Sequence, residues 1–169
     1  MCIRDRSNPG SKVNGWDFYN NVSRPAENWA NSGLHGTAVG GFIGAIRNNN
    51  IGIAGIAGGS YTDTTDVGVT LYGMTIVDAA IDAVTLPISD LCNALTMGCI
   101  YTGSGYGFGL HVINNSWGVY VGATADSGQW SPADLGELEL AFKNVYKNQT
   151  TIVAAVSYTH LTLPTNREV

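Results

Sequence analysis

The stretch "SPADLGELELAFKNVYKNQTTIVAAV", residues 131–156, joins a capped helix to an apolar strand. Ser131 stands at the N-cap, Pro132 at the first helical position and Asp134 three residues after the cap, a pattern typical of a helix start. The apolar residues at helical spacing, which predict its inward face, are Leu135, Leu138, Phe142 and Val145. The run of β-branched and small residues at 150–156 predicts a buried strand directly after this helix.

Upstream of this stretch the chain repeats the same alternation. Residues 69–77, "VTLYGMTIV", predict a buried strand, and residues 87–101 predict a helix with Ile88, Leu91 and Leu95 on one face. Residues 111–116, "HVINNS", predict a second central strand between glycine-rich segments. Strands that alternate with helices in this way favour an α/β fold of three layers, α/β/α, with a mainly parallel sheet. Ligands of such sheets bind beyond the carboxyl ends of the strands.

Composition limits the function classes. With 169 residues, 44% apolar and 12% charged, the chain can bury one core and is predicted to be globular. A net charge of −5 and only 8 Lys and Arg argue against nucleic acid as a partner. The apolar run near His35 ends at Arg47, short of the roughly 20 residues that a membrane span needs. We therefore expect neither nucleic acid nor a membrane as a partner.

The cysteines and the two ends of the chain give little information about the function of the protein. Cys92 and Cys99 lie in one predicted helix, where a rise of about 1.5 Å per residue separates their Cα atoms by roughly 10 Å, too far for a disulfide. The ends, "MCIRDR" at 1–6 and "SYTHLTLPTNREV" at 157–169, differ in composition from the rest and resemble translated sequencing adapters. We interpret them as sequencing artefacts, with short native tails as the alternative.

His35 begins a segment of glycine, alanine and small aliphatic residues. Small residues allow close approach of neighbouring elements, so the helix from Thr37 to Ile46 is predicted to be central and buried. The positive end of a helix dipole favours a neutral imidazole that can accept a proton, which suits a general base. The alternative is a histidine that only caps a buried helix.

Several motifs together carry a resemblance to a known family. They are "HGTAVGG" at 35–41, an asparagine-rich turn with "IGIAGIA", "LYGMTIV", "VINNSWG" at 112–118 and "TIVAAV". In order and approximate spacing they resemble the catalytic domain of the subtilisin-like serine peptidases, over residues 13–156. "GWDFYNN" resembles the stretch that this family carries shortly before its histidine. The resemblance defines residues 7–156 as part of a subtilisin-like catalytic domain, and implies a secreted or cell-surface, monomeric endopeptidase whose substrate is a peptide or protein.

The resemblance assigns roles to individual residues. It makes His35 the base that takes the proton of a serine hydroxyl. Ser116, Trp117 and Gly118 match the segment that pairs with substrate backbone and walls the primary specificity pocket, although Trp117 could instead be a lid on the core. Val84, Thr85 and Leu86 match the opposing edge strand for substrate. The chemistry needs no cofactor; Asn48 and Asn50 fall where many family members bind a structural calcium ion, and ordinary turn asparagines are the equal alternative.

The departures from the family pattern concern the catalytic groups. Ala38 and Gly40 stand where the family commonly has a second histidine and an alanine. No "D[ST]G" precedes His35, Asp17 lies too close to it, and Asp126-Ser127-Gly128 follows it in a polar loop. No "GTSMAxP"-like segment is present, and the foreign tail begins at Ser157, where the family places its oxyanion asparagine. We therefore expect the triad aspartate and serine to lie outside these residues, and the 169-residue chain alone to be inactive.

Two other functions compete with this interpretation. A nucleotide-binding domain would need a glycine-rich turn between a strand and a helix, but "GSGYGFG" precedes a strand and does not match G-x-G-x-x-G. A non-catalytic binding module related to the subtilisin-like peptidases would lack the acid and the nucleophile, as this sequence does. The reading frame on either side of residues 7–156 distinguishes that module from a peptidase.

Overall fold

A computed structural model describes residues 14–23, 34–76, 87–100, 107–117 and 131–154. The chain divides into two compact units, Met1–Asp90 and Leu91–Val169. The predicted artefact segments at 1–6 and 157–169 lie outside the described residues. In chain order the elements are β1 (Asn14–Asp17), β2 (Val22–Ser23), α1 (Leu34–Gly44), β3 (Tyr72–Thr75), α2 (Ile88–Cys99), β4 (Val112–Asn115), α3 (Pro132–Lys147) and β5 (Thr151–Ala154).

The first unit contains a three-stranded sheet in the order β2-β1-β3. β1 and β3 are parallel, with Asn14 opposite Tyr72 and Asp17 opposite Thr75. β2 follows β1 through a tight turn and pairs with it in the antiparallel direction. Asn21 occupies the left-handed region in this turn, at φ 53°, which asparagine tolerates better than most residues. β1 and β2 were not predicted from the sequence, because four and two residues are too short for a periodic pattern.

The segment between α1 and β3 is held to the helix by backbone hydrogen bonds. Ile56 N donates to Phe42 O at 3.0 Å and Ala57 N donates to Ile43 O at 2.8 Å. Arg47 fixes the same loop, since its Nε donates to Gly58 O at 2.7 Å and its guanidinium pairs with the Asp66 carboxylate. These contacts give a segment without regular secondary structure a defined path.

The second unit contains β4 and β5, which are parallel with Val112 opposite Thr151 and Asn115 opposite Ala154. α3 lies between these strands in sequence and contacts β5. Parallel strands cannot be joined by a tight turn, so a helix is the usual connection. The buried apolar side chains of this unit, from α2, β4 and α3, are Leu91, Ala94, Leu95, Cys99, Ile113, Leu138, Ala141 and Val145.

The predicted start of α3 is confirmed in detail. Ser131 Oγ accepts from Asp134 N at 3.2 Å, and the Asp134 carboxylate accepts from Ser131 N at 2.6 Å, which is a complete capping box. The predicted inward face is wrong in part. Leu138 and Val145 are buried, but Leu135 is 53% exposed and the small Ala141 lies inside instead. The inward face therefore follows the 138, 141, 145 spacing and begins one turn later than predicted.

The predicted α/β class with mainly parallel strands is confirmed, with shorter and less buried strands than expected. β3 covers four of the nine predicted residues and is half-buried, and β5 is largely exposed. β4 alternates exposed and buried residues, so only one of its faces is covered. α1 ends at Gly44 and is not fully buried, because Phe42 is 66% exposed. Hydrophobicity predicted β3, β4 and β5, but it could not set their ends or show which of their faces are covered.

The cysteine prediction is confirmed, since Cys92 and Cys99 are both free thiols. Cys99 is buried and lies 3.3 Å from the Thr96 carbonyl, to which its Sγ donates. Burial raises the pKa of both thiols, and the negative charges of Glu137 and Asp134 raise that of Cys92 further. Within the described ranges, no helix has both the length and the apolar character that a membrane crossing requires.

Candidate active site

His35 is the second residue of α1 and its side chain is exposed. The first turn of α1 carries no acidic residue. Among the residues that the structure describes, no hydrogen bond or ion pair joins His35 to a carboxylate. The ring is therefore accessible to a hydroxyl group and to a substrate, whereas the carboxylate that would fix its tautomer is not among its described contacts.

Asp17, the carboxylate that precedes His35 most closely in the described sequence, has a structural role. It is fully buried at the end of β1. Its Oδ1 accepts from Asn20 N and its Oδ2 accepts from Asn20 Nδ2, each at 3.0 Å. Both oxygens thus hold the turn that leads from β1 to β2. This agrees with the sequence argument that Asp17 is not the acid that orients His35.

Ser116 and Trp117 directly follow the carboxyl end of β4 and are both half-buried. Ser116 Oγ accepts from Asn114 Nδ2 at 2.7 Å, and Trp117 Nε1 donates to Asn115 Oδ1 at 3.0 Å. Their place at a strand end is the one at which parallel sheets present ligand-binding groups. Gly118 and the predicted edge strand Val84, Thr85 and Leu86 lie outside the described residues, so their roles stay predictions.

Asn48 and Asn50 lie in a tight turn after α1, with left-handed φ angles of 61° and 57°. Asn48 Nδ2 donates to Ser60 Oγ at 3.1 Å, and the neighbouring Asn49 Oδ1 accepts from Ile51 N at 3.0 Å. No group of three or more His, Cys, Asp or Glu side chains that could hold a metal occurs in the described part of the chain. These contacts agree with turn asparagines, and calcium binding at Asn48 and Asn50 stays a prediction.

Asn115 is buried and hydrogen-bonded to Trp117, and it was not among the residues predicted for the site. Its position carried a usable pattern. In "VINN" the strand period of two places residues 113 and 115 on one face, and Ile113 marks that face as the inward one. A polar residue at an inward position needs hydrogen-bond partners, so it is a candidate for a positioning role.

Comparison with protein families places the whole described chain in one of them. The family model described as the subtilase family, peptidase S8, matches residues 5–159. Searches of the curated proteins and of the solved structures found no match. The matched range contains every described element, including the "HGT" helix start and the strand end with Ser116 and Trp117. The chain therefore belongs to the subtilase family, the peptidase family S8.

Proposed function

We propose that this protein is a serine endopeptidase in which His35 acts as the general base. The exposed imidazole at the start of α1, within a chain of the subtilase family, is the observation that supports this most directly. In that role His35 Nε2 takes the proton of the nucleophilic serine as its oxygen attacks the peptide carbonyl. The imidazolium then gives the proton to the departing amine.

The substrate lies, in this proposal, along the end of β4. Ser116, Trp117 and Gly118 are proposed to pair with its backbone and to wall the pocket for the side chain before the cleaved bond, and Val84, Thr85 and Leu86 are proposed, from the family resemblance alone, as an edge strand for it. An extended peptide that adds to strand ends gains main-chain hydrogen bonds, and a side-chain pocket supplies the selectivity. We also propose a secreted monomer, with a structural calcium ion at the Asn48 to Asn50 turn as a secondary feature.

The triad aspartate and serine are assigned to sequence outside these 169 residues. None of the present residues matches their motifs in the required order. Recovering the adjoining reading frame is the decisive step. An aspartate strand before Ser7 and a "GTS" helix after Val156 support the peptidase. Their absence from a complete frame favours instead a non-catalytic module of the same family that binds peptides.

The activity test uses the extended protein with a chromogenic peptide. His35→Ala is expected to lower kcat/KM by about 10³-fold or more, since a general base contributes roughly 10² to 10⁴. His111→Ala is the matched control, because His111 is exposed directly before β4 and its carbonyl, not its ring, accepts from Thr151 N. Near-normal hydrolysis by His35→Ala would overturn the assignment. A fluorophosphonate probe should leave the 169-residue chain unlabelled, and labelling that depends on His35 would show that this chain already holds a nucleophile.

A further inference from the structure

Asn115 is a polar side chain in an apolar position. It is 6% exposed, on the same face of β4 as Ile113, which is 2% exposed. Burying an amide without partners costs free energy on the order of a few kcal/mol, which an aliphatic residue at this position would avoid. The residue is therefore expected to make contacts that an aliphatic side chain could not make.

The two ends of the Asn115 amide have different partners. Oδ1 accepts the indole Nε1 proton of Trp117 at 3.0 Å, close to the usual N–H···O distance. Nδ2 faces the sheet, 3.4 Å from the Ile113 carbonyl and 3.5 Å from the Val153 carbonyl on β5. The amide is thus directed by β4 and β5 on one side and holds Trp117 on the other.

We propose that Asn115 is a positioning residue that fixes the Trp117 indole and thereby sets which substrate side chain the pocket accepts. This rests on the proposed function, in which Trp117 walls that pocket. An indole just beyond a strand end can rotate about two side-chain bonds, and each rotamer gives the pocket a different shape. A buried acceptor at Nε1 selects one orientation, because the others leave the amide oxygen without its partner. Asn115 itself does not touch the substrate.

The hydrogen bond can be tested without any activity, on the 169-residue chain labelled with ¹⁵N. The chain has 4 tryptophans, and Trp117→Phe identifies the Trp117 indole resonance by its loss. We expect exchange of this indole proton with solvent to be at least about tenfold slower than in free tryptophan, the factor that a net hydrogen-bond contribution of about 1.4 kcal/mol gives. If the indole proton of Trp117 in the wild-type chain exchanges as fast as that of free tryptophan, the proposal is overturned, whatever the variants show.

Three variants assign the protection to the Asn115 oxygen. Asn115→Leu removes the acceptor and should return the exchange rate to that of free tryptophan. Asn115→Asp keeps an oxygen at the same place and should restore the slow rate at a pH at which its carboxyl is protonated, because an ionised carboxylate would be repelled by the Ile113 and Val153 carbonyl oxygens. Asn114→Leu is the matched control, because Asn114 lies on the exposed face of β4 and donates to Ser116 Oγ instead. Slow exchange that survives in Asn115→Leu would assign the protection to burial or to another contact of Trp117 and overturn the proposal.

Specificity is tested with two N-acetylated tetrapeptide amides, one ending in phenylalanine and one in alanine, followed by the shift of the Trp117 resonance. The larger of the two Kd values divided by the smaller measures the specificity. This ratio should fall at least about fivefold in Asn115→Leu and recover in Asn115→Asp. An unchanged ratio, with faster exchange, would overturn the link to specificity. If the wild-type indole is protected and neither peptide moves it, the proposed function fails while the hydrogen bond stands.

Discussion

Replacing Gly58 with alanine is expected to destabilise the first unit. Gly58 packs against the backbone that follows α1, and an added Cβ would overlap the Ala45 carbonyl oxygen and lie 2.7 Å from its carbon. The obstacle is main chain, which cannot rotate away as a side chain can. The same carbonyl accepts from Gly55 N at 2.8 Å, and Gly58 O accepts from Arg47 Nε at 2.7 Å. Moving Gly58 therefore strains both hydrogen bonds.

The magnitude follows from these contacts. Overpacking costs about 1–3 kcal/mol, and each hydrogen bond that is lost adds about 1 kcal/mol. A total of about 3 kcal/mol corresponds to a fall in Tm of roughly 6–12 °C for a chain of this size. Thermal unfolding followed by circular dichroism at 222 nm measures it. Gly36→Ala is the matched control in the same unit, because, apart from its chain neighbours and its own helix backbone, no atom of the described residues lies within 4 Å of its added Cβ. If the two variants melt within about 1 °C of each other, the packing argument is wrong.

Three further changes test separate parts of the structure. Ser131→Ala removes the side-chain half of the capping box and should lower the free energy of unfolding by about 1 kcal/mol in urea titrations; no change would contradict the cap. Arg47→Lys should lower the free energy of unfolding by about 1–2 kcal/mol, because it loses the Nε hydrogen bond to Gly58 O. Asp66→Asn breaks only an exposed ion pair and should lower it by less than about 0.5 kcal/mol. Equal losses of stability in the two variants would contradict this difference. Burial and the charge of Glu137 raise the pKa of the Cys92 thiol, so Glu137→Gln should lower this pKa. The thiolate fraction and the rate of alkylation by iodoacetamide near neutral pH should then rise. An unchanged rate would contradict the charge effect.

Local chemistry was the part of the fold that the sequence could predict. The N-cap of α3 is determined by four adjacent residues, so Ser131, Pro132 and Asp134 were placed correctly. The depth of burial depends on residues distant in sequence, and Leu135 was predicted inside although it is 53% exposed. β1 lies parallel to β3, whose first residue is Tyr72. A local pattern in four residues cannot predict which distant strand they pair with.

The residues of the candidate site also separate into those that local sequence motifs suggest and those that depend on the folded structure. His35 could be proposed from the sequence because its motif is contiguous, and Ser116 with Trp117 because they match a family motif that follows a predictable strand; their site roles stay predictions. Asn115 was not predicted, because the role that we propose for it depends on the hydrogen bond between its Oδ1 and the Trp117 indole, and that contact is a property of the folded strand end. The asparagines at 48 and 50 suited both a metal loop and a turn, since amide oxygens serve either role.

Gly55, a glycine of the loop that follows α1, lets the loop backbone pack directly against the second half of that helix. A Cβ at Gly55 would lie 2.7 Å from Gly44 N and 2.9 Å from Gly41 O, so the following loop contacts the second half of α1 main chain against main chain. At the other end of the helix, no neighbouring element in the described part of the chain lies within 4 Å of a Cβ at Gly36. The close packing thus lies away from the histidine. Substitutions in the second half of α1 should therefore alter stability, and substitutions of His35 should alter only the chemistry that we propose for it.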